Sequence, residues 1–287
     1  MSGVPMLTVW SPPAPAGQPY ENPNVWNVPG TDPNGPAGDP KVGSQNWCWA
    51  NIGNQGTAAA TNVSVQFYYC TPNTPVAQWS DFLGNSAGQV TLPTLAAGAV
   101  NQKVCATTPW TPPNTGHVCL IAYVEATNDP GPPQTPTLAP QITDRHVAQN
   151  NMAAVTVAAG ATLDHEFLAH SDEGAMLTVR MDAPASWSRA GAAQYEAEAD
   201  AGTYQPVHFG LVDPRSLTAG EGALPVTRME VQGSQILALR MQVPDDARPG
   251  ERALFRIEST RAGQTLSGLS VMATVAPPPS AETMSEE

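Results

Sequence analysis

Trp47-Cys48-Trp49-Ala50-Asn51-Ile52-Gly53-Asn54, followed closely by Asn62-Val63-Ser64-Val65-Gln66-Phe67-Tyr68-Tyr69-Cys70, decides the fold class. In the second segment Val63, Val65, Phe67 and Tyr69 fall on one face, the period-2 alternation of a half-buried β-strand. Gly53-Asn54-Gln55-Gly56 supplies turn formers between the two segments. The pair reads as strand, turn, strand.

Working outward, further short strands are expected at 88–92, 100–107, 117–125 and 145–157, beside 45–52 and 62–70. Turn signals separate them: Thr71-Pro72-Asn73, Thr111-Pro112-Pro113-Asn114 and the Pro-rich 129–140. A second series follows at 163–169, 175–181, 205–212, 226–232, 235–243, 252–258 and 268–275, with a hairpin expected around Arg261-Ala262-Gly263. Residues 194–201 are the one helical turn expected. Many short strands with frequent turns predict an all-β chain of two tandem β-sandwiches. The expected units are 41–159 and 160–276, preceded by an extended Pro-rich arm over 1–40 and followed by an acidic disordered tail over 277–287. The arm has ten prolines and no Lys or Arg, so helix is excluded there. Trp10, Tyr20, Val25 and Trp26 suggest that part of it packs on the first domain or on a neighbouring copy.

Charged residues make up 13% of the 287-residue chain and the net charge is −13. Its 12 Lys and Arg are nowhere clustered, so the counterion release that drives nucleic-acid binding has no footprint and no nucleic-acid partner is expected. The longest apolar run, residues 118–124, is strand length, so no membrane span is expected. Residues 1–10 carry no basic residue and no long apolar core, so no signal peptide is expected in this sequence.

The pattern around Asn51-Ile52-Gly53, residues 60–69, 92–98, Trp110-Thr111-Pro112-Pro113 and 117–124 resembles the bacterial CARDB-type domain, an immunoglobulin-like β-sandwich linked to cell adhesion. The similarity covers residues 42–157. Glu21-Asn22-Pro23-Asn24-Val25-Trp26 resembles the lead-in to such domains, and Asp144-Arg145-His146-Val147-Ala148-Gln149-Asn150 the entry to their last strand. Residues 244–275 resemble, more weakly, the closing strands of another bacterial Ig-like domain. The Trp-Cys-Trp strand and the four cysteines depart from the family pattern. The resemblance implies a fold without catalytic residues or cofactor. It implies a structural or interaction protein of a bacterial surface or particle assembly with protein partners; the arm's aromatic residues leave other copies of the chain as one such partner. The alternative is a carbohydrate-binding or accessory module of an extracellular hydrolase system.

Cys48, Cys70, Cys105 and Cys119 all fall in the first unit and allow three connectivities. An Ig-like topology favours Cys48–Cys105 and Cys70–Cys119, each closing a loop of about 50 residues. In the chain-entropy model each bridge is worth about 4 kcal/mol. Bridges would imply an extracellular or surface location. Buried free thiols are the other reading, and the absence of a Cys-x-x-Cys spacing argues against zinc.

Other motifs carry less chemistry. Gly84-Asn85-Ser86-Ala87-Gly88 matches a nucleophile elbow, but strand-like Gln89-Val90-Thr91-Leu92-Pro93 follows where a helix is required. Asp164-His165-Glu166 with His170, Asp172 and Glu173 is rich in metal-ligand types. On a strand, though, His165 and His170 point to opposite faces, so a polar strand edge is expected. His117 and His146 read as polar packing, and Asp144 and Arg145 as a turn with an ion pair. Trp10, Trp26, Trp47, Trp49, Trp79 and Trp110 would stack on sugar rings if two or three lay exposed and coplanar; core and edge packing is the ordinary alternative.

Overall fold

The computed structural model describes residues 3–9, 19–70, 77–112, 118–182, 202–216 and 225–277. The all-β expectation holds, with one short α-helix, α1 (Trp79–Leu83), and a 3-10 turn at Pro214–Ser216 among the described strands. The expected helical turn at 194–201, the acidic tail beyond 277, Trp10 and His117 lie outside the described residues.

The first unit is a sandwich of two four-stranded sheets. One contains β1 (Leu7–Thr8), β2 (Val25–Pro29), β3 (Asn46–Asn54) and β6 (Gln102–Cys105), with β3 central. The other has the order β5 (Ser86–Leu95), β4 (Ala60–Cys70), β7 (Cys119–Glu125), β8 (Val147–Asn150). Cys48, Ala50 and Ile52 of β3 meet Val63, Val65 and Phe67 of β4 in one core, as the alternation requires. The opposite face of β4 and β7 carries Tyr68, Cys70, Cys119, Ile121 and Tyr123. Trp79 and Phe82 of α1 cover it in a second, smaller core.

Residues 20–29 do not form a free-standing arm. Val25–Pro29 pairs antiparallel with β3, and Leu7, Val9, Tyr20 and Val25 are fully buried. Proline excludes helix but not an edge strand, and the aromatic and aliphatic residues of the segment gain a core by folding back. Asp129 fixes the start of the chain. It accepts the Leu7 amide at 2.6 Å and both Arg145 guanidinium nitrogens at 2.6 and 2.7 Å. Arg145 also donates to the Leu7 carbonyl at 2.6 Å. Residues 3–9 and 20–29 thus pack on their own unit, while Thr31, Asp32, Asn34, Pro36 and Asp39 of the arm stay exposed.

The expected strand 145–157 divides at Asn151. β8 closes the first unit, and β9 (Met152–Val157) opens the second by pairing in parallel with β14 (Gln264–Val275). Met152–Val157 thus joins the sheet of the second unit. The second unit is one six-stranded sheet, ordered β11 (His208–Val212), β12 (Arg228–Gln242), β10 (Thr162–Asp182), β13 (Arg252–Arg261), β14, β9. It differs from the expected pair of separate sheets. The segments read as 163–169 and 175–181 are one bent strand, as are 226–232 and 235–243. Ser171 faces Gly233 (φ 66°), and the register shifts between Ser171 and Ala175, next to Gly174 (φ 79°). A bulge bends a strand without ending it. The bend lets the sheet fold over itself. β11 and β13 are three strands apart, about 14 Å in a flat sheet, yet Phe209 and Phe255 have ring centroids 5.5 Å apart. Phe167, Leu177, Leu237, Leu239, Phe255 and Val271 fill the fold. The hairpin expected at Arg261 is present. Ala262 (φ 49°) and Gly263 (φ 79°) form a two-residue loop between paired Arg261 and Gln264.

Candidate interaction surface

Alternation along β3 sends Cys48, Ala50 and Ile52 inward and Trp47, Trp49 and Asn51 outward. β2 pairs beside it with Trp26 opposite Trp49 and Val28 opposite Trp47. β6 pairs on the other side with Cys105 opposite Trp49 and Lys103 opposite Asn51. Residues directly opposite share a face, so three tryptophans from two strands gather on the outside of the sandwich. Each is half-buried. The following loop folds over them. Trp47 Nε1 donates to the Gly30 carbonyl at 3.1 Å and Trp49 Nε1 to the Pro33 carbonyl at 2.8 Å. Trp26 and Trp49 stack with centroids 6.0 Å apart and planes 11° from parallel. Beside them Trp26, Val28, Pro33, Asn34, Gly35, Trp49 and Lys103 line a cavity of about 200 Å³. Trp79 and Trp110, by contrast, are core residues.

A second feature joins the two units. Glu21, at the entry to β2, accepts from Arg256 Nε at 2.7 Å and Nη2 at 3.0 Å, and from the Ser270 hydroxyl. Arg256 Nη1 reaches Asp182. The Glu21 side chain is 0% exposed and that of Arg256 4%. Burial pulls the guanidinium pKa down, but the hydrogen bond and charge of Glu21, then those of Asp182, more than offset it and the net shift is upward. Next to this group the Tyr20 hydroxyl donates to Glu258 at 3.2 Å, and its ring lies so close to Gly268 that a Cβ there would meet it at 2.3 Å. Burial, then the charges of Glu258 and Glu21, push the Tyr20 phenol up. Asn151, at the strand division, takes its amide to the Tyr20 carbonyl at 2.9 Å, and its side chain donates to Gly268 at 2.6 Å. Sequence reasoning missed this group. Arg256 lies between Phe255 and Ile257, which face the second core; the first unit covers its own face, and no local pattern records that.

The cysteines divide. Cys70 and Cys119 stand directly opposite on β4 and β7 and share a face. Cys105 stands opposite Trp49, not Cys48, so Cys48 points into the core while Cys105 lies half-buried on the tryptophan face. A one-residue offset thus separates the expected Cys48–Cys105 pair across the sheet. All four are thiols in this structure. Burial, then the neighbouring Cys70, raises the Cys119 pKa against the Gln149 hydrogen bond, and burial pushes Cys105 up to about 11.

The remaining motifs disperse into structural pairs. Asp164 binds Arg240 at 2.8 and 2.7 Å, and Glu173 binds Arg261. His170 faces Asp81 of α1 at 2.9 Å and Asp172 at 3.3 Å. No group of three metal-ligating side chains converges among the described residues. Asp144 accepts from His146 at 2.7 Å, while Arg145 turns to Asp129. Gly84 caps α1 and Ser86 begins β5, where its hydroxyl accepts the Gly88 amide at 3.2 Å, so no strand-to-helix elbow forms. Among the described residues no helix is long and apolar enough to cross a membrane.

No protein-family model and no curated protein matches the sequence. Similarity to solved structures is weak, as two of them illustrate. The CupB6 tip adhesin from Pseudomonas aeruginosa is 9% identical over 96% of this chain and 97% of its own, with a TM-score of 0.24. The adhesin CfaE of enterotoxigenic E. coli is 9% identical over 97% of this chain and 93% of its own, with a TM-score of 0.21. Likeness at this level carries no argument about what the protein does.

Proposed function

We propose that the protein is a non-enzymatic interaction protein of a bacterial surface or particle assembly, with its first unit a CARDB-type domain. The observation that carries this reading is the buried Glu21–Arg256–Asp182 group. Linked domains move relative to one another by default unless a substantial interface fixes them. Here a desolvated ion pair, a tyrosine against a glycine and the Asn151 hydrogen bonds between β8 and β9 hold two β units as one body. A rigid body of this kind suits holding a contact face at a set position, and the outward tryptophan face is the contact surface. Four ion pairs, Arg180–Glu258, Arg240–Asp164, Arg256–Asp182 and Arg261–Glu173, tie the long strands of the second unit together.

The test uses the full chain in two measurements. It is titrated onto washed bacterial envelope fractions, and it is run over a wide concentration range by size-exclusion chromatography with light scattering. Saturable retention, or a defined oligomer that grows with concentration, supports the proposal. A strictly monomeric protein with no retention overturns it.

A further inference from the structure

The slot beside Trp26 and Trp49 has the chemistry of a sugar site. We propose that it binds one pyranose ring of a neutral glycan, with the Trp26 and Trp49 indoles as the apolar walls of the slot. The inference rests on the reading of this face as the contact surface, and it names the ligand class.

Three observations carry it. First, the Trp49 wall of the slot is fixed in advance. The Trp49 indole is held by the Pro33 carbonyl at 2.8 Å and the neighbouring Trp47 by Gly30 at 3.1 Å. Little rotamer freedom is left to lose on binding. Second, the slot offers an apolar wall with hydrogen-bond donors at its rim, matching a ring whose faces are C–H surface and whose edge is hydroxyl. Indole N–H is a donor only, and Trp26 Nε1 has no protein acceptor among the described residues. Asn34 and Lys103, both exposed, add an amide and an ammonium. Third, size and charge exclude the main rivals. A cavity of about 200 Å³ lies below the ~300–1,000 Å³ of drug-sized pockets and suits a single ring. A polyproline helix repeats every three residues and would need a row of such slots along its length. A polyanion would meet one lysine on a protein of net charge −13, whose field opposes its approach.

Cellohexaose, chitohexaose and maltohexaose are titrated into the full chain, read by tryptophan fluorescence and calorimetry. At least one is expected to bind and to quench or shift the emission. Trp26→Ala should weaken that binding at least about tenfold, and Trp26→Phe should recover part of it. Ile236→Ala, on the second unit, should leave it unchanged. Thermal melts matching wild type establish that the Trp26 variants are folded. Binding of none of the three sugars, or binding that Trp26→Ala leaves intact, overturns the inference. Envelope retention separates the two levels of the argument. Retention that survives periodate oxidation of glycans but not protease treatment removes the glycan and leaves an interaction protein with a protein partner. Loss of all retention, with the chain strictly monomeric, removes both.

Discussion

Replacing Arg256 with methionine keeps a long apolar stem and removes the cation, leaving the Glu21 carboxylate buried against the Ser270 hydroxyl. Glu21 is 0% and Arg256 4% exposed at the side chain, so water does not repair the loss. Breaking a buried pair by removing one partner costs about 3–5 kcal/mol, and Arg256→Met is expected in that range. Glu21→Gln should cost less, because Arg256 retains Asp182, whose side chain is 25% exposed and accessible to water. The double variant removes both unpaired charges. Its cost should fall short of the sum of the singles by about 1–3 kcal/mol, the coupling seen within one network. The assay is urea unfolding of the full chain, followed by both tryptophan fluorescence and circular dichroism. The accompanying drop in melting temperature for Arg256→Met is on the order of 10 °C. An Arg256→Met protein within about 1 kcal/mol of wild type, or strictly additive single effects, would refute the claim that this pair holds the units together.

Three further outcomes are expected. Gly268→Ala places a Cβ 2.3 Å from the Tyr20 ring; overpacking of this kind costs about 1–3 kcal/mol, and the same substitution in a Tyr20→Ala background should cost markedly less in the same urea assay. At His170, burial lowers the imidazole pKa, but hydrogen bonding and charge from Asp81, then Asp172, outweigh it and the net shift is upward. A raised folded pKa adds stability that is complete below the unfolded value of about 6.5 and fades as pH rises through the folded value. His170→Ala should therefore lower the melting temperature most in mildly acidic buffer, with the gap narrowing above neutrality; a gap that widens with pH contradicts the pairing. Under a mild disulfide oxidant, peptide mapping should find a Cys70–Cys119 link and no Cys48–Cys105 link, while alkylation of the native reduced protein should mark the half-buried Cys105 before the three buried thiols.

Strand periodicity made the all-β class and most strand positions legible, because alternation such as Val63, Val65, Phe67, Tyr69 is set locally by which face is wet. What depends on register was not. Cys48 and Cys105 do lie on neighbouring strands, but Cys105 aligns with Trp49, and one residue of offset reverses its face. The gaps expected at 170–174 and 233–234 contain Gly174 and Gly233, which mark a bulge and a bend within long strands. The composition of residues 1–40 excluded helix correctly; it could not report that Val25–Pro29 would find an unpaired edge on β3. Asn151 carries no breaker signal, because the strand changes sheets there through contacts with Tyr20 and Gly268 that are distant in sequence. The tryptophans were visible as a group. Their convergence on one face required the β2–β3 pairing, which only the folded chain supplies.

The claim that the two units form one body is tested most directly by native-state hydrogen exchange at the Asn151 and Ser270 amides. These amides donate to Tyr20 at 2.9 Å and to Asn151 at 3.0 Å, across the line where the units meet. A fused junction predicts that both exchange only with global unfolding, at rates matching core amides of β4 and β13 and with the same urea dependence. Exchange at the rate of surface loops, or through an opening that spares the cores of both units, would contradict it.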